Sequence, residues 1–359
     1  MSNVFDYLAW RGDITFASSP FCEVDNVILS LLSYVDYSGA VPDYLLGNPV
    51  KLSEIFKKHP LPKAENESSI AKKYEKLLEA VSETERFSNI YLAYFKKNSD
   101  KERTLQFAAV TFLLPDNTLF VAYRGTDGTL TGWKEDFTLS FSTGTVAQQY
   151  AVDYLNTVTS VYKGDIRIGG HSKGGNLSVY AGIFTSSAVR SRILSIYNND
   201  GPGFVPEIVS RPEYKELEDR IITLIPQSSI VGLLLDRVEK VTIVKSSEIT
   251  GFSQHDPISW NVARNSFVHL DDLSTVGKKH VEVVDNFLTE MTPDERKLFT
   301  STLFEILDST GAKTFGELTH DSFNNISAAV KTYTGLSREM KQSLSNTVKR
   351  LASSLMKSN

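Results

Sequence analysis

The chain has 359 residues, 41% hydrophobic and 23% charged, which is the balance of an ordinary globular protein rather than a disordered or fibrous one. That length holds one large α/β domain with extra segments, or two modest domains. A net charge of −5 argues against a nucleic-acid reader, which usually carries a basic surplus.

The single cysteine, Cys22, excludes an intrachain disulfide and a thiolate metal cluster, leaving a buried structural thiol as its expected role. The first residues lack the basic start and apolar core of a signal peptide, and no uncharged apolar run approaches the roughly 18 residues of a membrane span. A cytoplasmic protein is expected. With no H-E-x-x-H and no paired cysteines, no metal and no cofactor are expected.

Residues 1–20 mix aromatics with turn signals, and Ile14-Thr15-Phe16 reads as a short strand. From Glu23 to Tyr37, apolar residues recur at helical spacing and predict a core-facing helix. Two further helical patterns, Lys51 to His59 and Ser68 to Ser82, flank a proline-marked loop. Strand character starts near Ile90 and returns over Phe107 to Leu114. Pro115-Asp116-Asn117 then turns the chain into Thr118 to Tyr123, giving a hairpin. A helix is expected over Ala147 to Tyr162, followed by the strand that carries Ser172, a helix over Gly175 to Phe184 and a strand over Ile193 to Asn199. A helical piece at Tyr214 to Leu217 precedes strands over Ile221 to Ile225 and Val241 to Lys245. Strands separated by helices imply crossovers and a mostly parallel sheet covered on both faces, with chemistry gathered at the carboxyl ends of the strands.

From about Leu270 the pattern is helical: His280 to Met291, Pro293 to Leu307, and Phe323 to the terminus. Met340, Leu344, Val348, Leu351 and Leu355 form a stripe, and six Lys or Arg stand against two acids from Asp321 onward. Such a helix could touch a membrane surface, although stripes of this kind more often pack on the domain or on a partner chain. The organisation expected is an N-terminal helical segment over 1–86, a core over 87–269 and a C-terminal helical extension over 270–359.

Gly170-His171-Ser172-Lys173-Gly174 fits G-x-S-x-G, in which a serine occupies a strained strand-to-helix turn and its hydroxyl stands clear of the sheet. At Gly and Ser usage of roughly 7% each, chance supplies this pattern about one time in ten in a chain this long. The flanking strand and helix patterns therefore carry the reading. The same stretch has neither G-x-G-x-x-G nor the G-K-[ST] ending of a phosphate-binding loop. A serine nucleophile needs a base, and the base needs an orienting acid, in the chain order Ser, acid, His. His255 is the candidate base, since it follows the last core strand in a loop of turn-forming residues; His269, His280 and His320 border or occupy helical segments. Asp200 is the leading acid, at a sharp exit from the strand next to the serine strand, with Asp236 and Asp256 as rivals. Oxyanion donors would be the backbone N–H groups of Lys173 and of Thr126, in the loop after an earlier strand.

With these residues in place the chain resembles a class 3, fungal-type lipase of the α/β-hydrolase superfamily, nearest to a bacterial branch of lipase-like proteins whose substrate is unassigned. The resemblance rests on Tyr123-Arg124-Gly125-Thr126, Trp133, Asp136, Gly170 to Asn176 and His255. It implies an α/β-hydrolase fold with additional N-terminal and C-terminal helices. It also implies Ser172 as nucleophile, His255 as base and Thr126 as oxyanion donor. The chain departs from these lipases at the acid: where they carry Asp-Ile-Val-Pro, it has Ser229-Ile230-Val231-Gly232. Lys173 replaces a commonly apolar residue, and a cation at the mouth would favour anionic or polar substrates. The stretch between Thr126 and Ala147 is too short and polar to look like a lipase lid. The activity expected is cleavage of a small-molecule or lipid-like ester or thioester through an acyl-enzyme. The alternative is a hydrolase-like scaffold with weak or lost catalysis that binds a partner or a membrane surface.

Overall fold

The computed structural model describes residues 2–45, 47–55, 70–289, 291–312 and 322–357. Its frame is a sheet of nine strands: β1 (Val50–Lys51), β2 (Tyr91–Asp100), β3 (Leu105–Leu113), β4 (Leu119–Tyr123), β5 (Ile166–His171), β6 (Ile193–Asn199), β7 (Ile221–Pro226), β8 (Val241–Val244) and, beyond a small separate hairpin of β9 (Val262–Ala263) and β10 (Ser266–Phe267), β11 (His269–Leu270). The strands lie in sequence order across the sheet. β1 to β4 pair antiparallel, β4 to β8 pair parallel, and β11 closes the far edge antiparallel on β8. The parallel core has helical crossovers because parallel neighbours cannot be joined by a tight turn. The fold is thus of the α/β class, with a mixed sheet whose core is parallel.

Alternation along the strands divides the interior into two cores. Phe112, Phe120 and Ala122 face the N-terminal helices α1 (Val4–Arg11), α2 (Glu23–Leu32) and α3 (Ile70–Ser82), which contribute Val4, Val27, Ile28, Leu31, Leu77 and Leu78. Leu119, Val121 and Tyr123 face the other way. There they meet the crossover helices. α4 (Leu130–Thr138) and α5 (Val146–Val161) run between β4 and β5, and α6 (Lys173–Phe184) follows β5; Ala151, Leu155, Leu177 and Ala181 from α5 and α6 fill that second core. The C-terminal helices are α7 (Thr275–Thr289), α8 (Pro293–Ser309), α9 (Ser322–Gly335) and α10 (Arg338–Lys357). α8 packs on α4, α9 and α10. No helix among the described residues is long and apolar enough to cross a membrane.

Several local expectations are corrected. Ile14 to Phe16 is a turn, with the N–H of Ile14 bonded to the Arg11 carbonyl and that of Ser18 to the Thr15 carbonyl. The helix from Glu23 stops at Leu32, where the Ser33 hydroxyl takes the Ser30 carbonyl and competes with the backbone ladder. Lys51 pairs with Tyr91 in β1, a 3-10 turn follows over Leu52–Glu54 and Ile55 is helical; residues 56–59 lie outside the described residues. The last helix is broken at 336–337, where Gly335 ends α9 and the Ser337 hydroxyl accepts the Met340 N–H. His269 lies in β11. Of the basic stripe, Met340 and Leu344 are half-buried, and the side chains at 348, 351 and 355 lie outside the described residues.

The N-terminal segment is closed by a buried ion pair. Arg86 donates from Nε and Nη2 to the two oxygens of Asp25 at 2.8 and 2.5 Å, with the two side chains 1% and 0% exposed. Its remaining N–H groups reach the carbonyls of Ile14, Ser19 and Pro20, and Tyr7 and the Cys22 N–H complete the carboxylate. Cys22 itself is half-buried, and burial pushes its thiol up to about 12. Replacing Arg86 by Ala strands a buried carboxylate, so the Arg86→Ala variant is expected to lose about 3–5 kcal/mol in urea unfolding. A loss below about 1 kcal/mol would show that the pair does not hold this segment.

Candidate active site

β5 ends at His171 and α6 begins at Lys173, so Ser172 alone makes the turn, at φ 58° and ψ −132°. A non-glycine residue held there costs roughly 1–3 kcal/mol and persists only where its surroundings leave no alternative. The Ser172 N–H is bonded to the Asn199 carbonyl at 3.0 Å and its carbonyl accepts from Gly175 at 2.9 Å. A Cβ on Gly174 would stand 2.1 Å from the Tyr123 carbonyl oxygen, which is the steric reason for glycine there. Beneath the turn, the Asn199 amide joins Asn26 and Ser30 of α2 to the Gly170 carbonyl, all of them buried.

His255 caps the short helix Gly251–Gln254 and is 22% exposed. Its Nδ1 lies 2.7 Å from Oδ2 of Asp200, which sits just past β6 and is fully buried. An ionised carboxylate only accepts, so Nδ1 carries the proton and Nε2 is the acceptor in the neutral ring. The other Asp200 oxygen accepts from the Ser229 hydroxyl at 2.5 Å and the Gly232 N–H at 3.1 Å. The rival acids go elsewhere. Asp236 is exposed and bridges Phe204 through its backbone, while Asp256 meets Lys73 and accepts from Tyr74 and the Ile258 N–H. His269 pairs with Glu23 at 2.9 Å, His280 faces the Ser228 and Ser229 carbonyls, and His320 lies outside the described residues.

His171, beside the serine, ties the elbow to His255. Burial holds its imidazole well below the usual range, so it is neutral. Nε2–H donates to the His255 carbonyl at 2.7 Å, and Nδ1 accepts from the Tyr34 hydroxyl at 3.1 Å. The two imidazole centroids are 4.5 Å apart. Nothing in the sequence marked this link, because the x of G-x-S-x-G carries no stated chemistry.

Thr126 and Ser172 border one cavity, and the Thr126 hydroxyl donates to Asp136 of α4 at 2.7 Å. Lys173 heads α6, and the backbone N–H groups of a first helical turn have no partner within the helix. Its side chain, expected as a cation at the mouth, is instead paired internally. Nζ lies 2.8 Å from Glu135 of α4, both side chains 1% exposed, and also donates to the Gln106 carbonyl. Glu135 accepts the N–H groups of Gln106 and Ala147 as well. The neutralised pair fixes α4 against the elbow. The next residue is treated differently: burial pushes the Asp136 carboxyl up to about 6, against the opposing pull of Lys173 and the Thr126 hydrogen bond, and its Oδ1 is shielded without a partner.

The cavity has a volume of about 550 Å³. Besides Ser172, His255 and Thr126, it is walled by Trp133 and Phe137 of α4, Ile230, Val231, Phe252 and, from α8, Phe299. Phe137 packs on α8 with its ring tilted against Phe299 and edge-on to Phe304, at centroid distances of 6.4 and 5.8 Å. Sequence reasoning missed α4 and Phe299. The spacing of Leu130, Trp133 and Phe137 after the N-capping Thr129 was the available signal for α4. A larger, more open hollow of about 730 Å³ lies between residues 38–54 and β2, and no histidine lines it.

Comparison of folds finds MDLA from Penicillium cyclopium, in a mutant form, at 12% identity and a TM-score of 0.39, over 68% of this chain and 83% of that one. A triacylglycerol lipase whose catalytic centre is described as a serine protease triad matches at 13% and 0.38, over 61% and 77%. The Rhizomucor miehei lipase in its propeptide complex matches at 12% and 0.36, over 51% and 68%. No curated protein matches. The model of the Mbeg1-like family matches residues 81–305, more than half of the chain, and the chain belongs to that family.

Lys173→Met leaves Glu135 charged and buried without its cation. Chemical unfolding of this variant is expected to show a loss of about 3–5 kcal/mol, and a neutral result would mean that the pair is dispensable. Asp136 gives a pH signature. Its folded value of about 6 exceeds the ordinary 3.8, so between these the folded state binds more protons and stability falls as pH rises through the window. Asp136→Asn should therefore gain on the wild type between pH 4 and pH 7, read from urea midpoints; a constant difference would sink the assignment.

Proposed function

We propose that this member of the Mbeg1-like family is a serine hydrolase that cleaves carboxylic esters or thioesters through an acyl-enzyme on Ser172. The observation that carries the reading is the 2.7 Å bond from His255 to the buried Asp200, in a cavity that His255 shares with Ser172. His255 Nε2 takes the Ser172 proton as Oγ bonds to the substrate carbonyl carbon. Asp200 keeps the proton on Nδ1 and stabilises the imidazolium that forms. The backbone N–H groups of Thr126 and Lys173 hold the oxyanion, helped by the positive end of α6. As the tetrahedral intermediate collapses, the bond to the alcohol or thiol breaks and His255 hands its proton to the leaving group. Water, deprotonated by the same imidazole, then releases the acid and restores Ser172.

The apolar wall from Phe137, Val231 and Phe299 suits the hydrocarbon part of an acyl group, while the neutralised Lys173 offers an anionic substrate no free charge. The alternative of a scaffold without chemistry rests on serine at position 229 together with the long C-terminal helical tail. Asp200 beside His255 supplies the carboxylate that position lacks, and this favours the catalytic reading.

A fluorophosphonate probe is expected to label the wild type and not Ser172→Ala. Equal labelling of the two, or none in either folded protein, would sink the proposal. His255→Ala should lower kcat on p-nitrophenyl esters by about 10³-fold or more. A loss below about tenfold would mean that the base lies elsewhere.

A further inference from the structure

We infer that Ser229 is a positioning residue that holds the Asp200 carboxylate in register with His255. The inference rests on the reading of Ser172, His255 and Asp200 as the reacting set. Ser229 follows β7 and is fully buried. Its hydroxyl oxygen accepts the Gly232 N–H at 3.0 Å, and its single proton points to Oδ1 of Asp200 at 2.5 Å. The Gly232 N–H also reaches that oxygen, at 3.1 Å. A Cβ on Gly232 would stand 2.2 Å from Oδ1, so the turn lies directly on the carboxylate and excludes a side chain there.

The carboxylate thus has two donors on Oδ1 and the imidazole on Oδ2, which fixes its rotation about Cβ–Cγ. Without the hydroxyl, a fully buried charge keeps one backbone donor on that side and its plane is free to turn away from Nδ1. The turn is itself braced. Gln254, the neighbour of His255, accepts the Ser228 N–H at 2.9 Å, and His280 of α7 donates to the Ser228 and Ser229 carbonyls. Its two middle residues, Ile230 and Val231, face the cavity. One four-residue turn therefore grips the acid with its ends and touches the substrate with its middle.

The test is steady-state kinetics on p-nitrophenyl esters with the wild type, Ser229→Ala, Ser229→Thr and Asp200→Asn. Thermal midpoints and the low-field proton resonance of His255 Nδ1–H are recorded alongside. Ser229→Ala is expected to lower kcat about tenfold to a hundredfold, the range of a lost hydrogen bond to a charged group, with KM within about twofold. It should also shift the low-field resonance, and Ser229→Thr should restore both. A kcat within about twofold of wild type in Ser229→Ala overturns the inference. So does an equal loss in the Ala and Thr variants that tracks a lowered thermal midpoint, which marks a merely structural residue. A wild type that turns over no ester, with Asp200→Asn indistinguishable from it, overturns instead the catalytic reading beneath.

Discussion

Ser172 holds a backbone conformation that a free chain avoids, and the molecule is arranged so that it has no other. β4 comes so close to the elbow that only glycine fits at 174. The N-terminal helices take part too. Asn26 and Ser30 of α2 reach under the sheet to Asn199, which in turn holds the Gly170 carbonyl and, through its own backbone, the Ser172 N–H. Tyr34, just beyond α2, closes the other side through His171. Residues outside the cavity's own set of Ser172, Asp200 and His255 thus help set the angle of the serine and the position of His255. The Arg86–Asp25 pair, which does not line the cavity, matters because Asp25 is part of α2 and the pair ties that helix to the rest of the N-terminal segment.

Two adjacent acids on α4 show how local satisfaction decides what burial does. Glu135 faces a lysine and two backbone N–H groups, and its charge is fully answered. Asp136 faces the cavity with one hydroxyl donor, and burial raises its carboxyl to about 6. Sequence position and residue type barely differ. The partners differ, and these come from β3, α5 and the elbow, elements far apart along the chain.

Much of the frame was legible because it is written in short periods. β4 to β8 are runs of β-branched and aromatic residues between helical patterns, and the glycine frame of Ser172 reflects a steric need that any sequence must meet. Asp200 was readable from its place at a strand end beside the serine strand, which is where the structure sets it against His255. What escaped depends on contacts across space. Lys173 reads as an exposed cation until Glu135, 38 positions earlier, is seen against it. α4 was lost because its apolar residues are interleaved with Gly132, Lys134, Glu135 and Asp136, so that the polar count masks the spacing. Ser229 looked like a missing carboxylate, since a hydroxyl that serves another residue's charge leaves no mark on the sequence.

Phe299 carries a different lesson. The wall it provides belongs to α8, outside the sheet that positions Ser172, Asp200 and His255, and it lines the cavity beside Phe137 of α4. This part of the cavity wall and the set of Ser172, Asp200 and His255 therefore lie on separate stretches of the chain. A change in α8 would reshape the cavity while leaving the contact between His255 and Asp200 as it is.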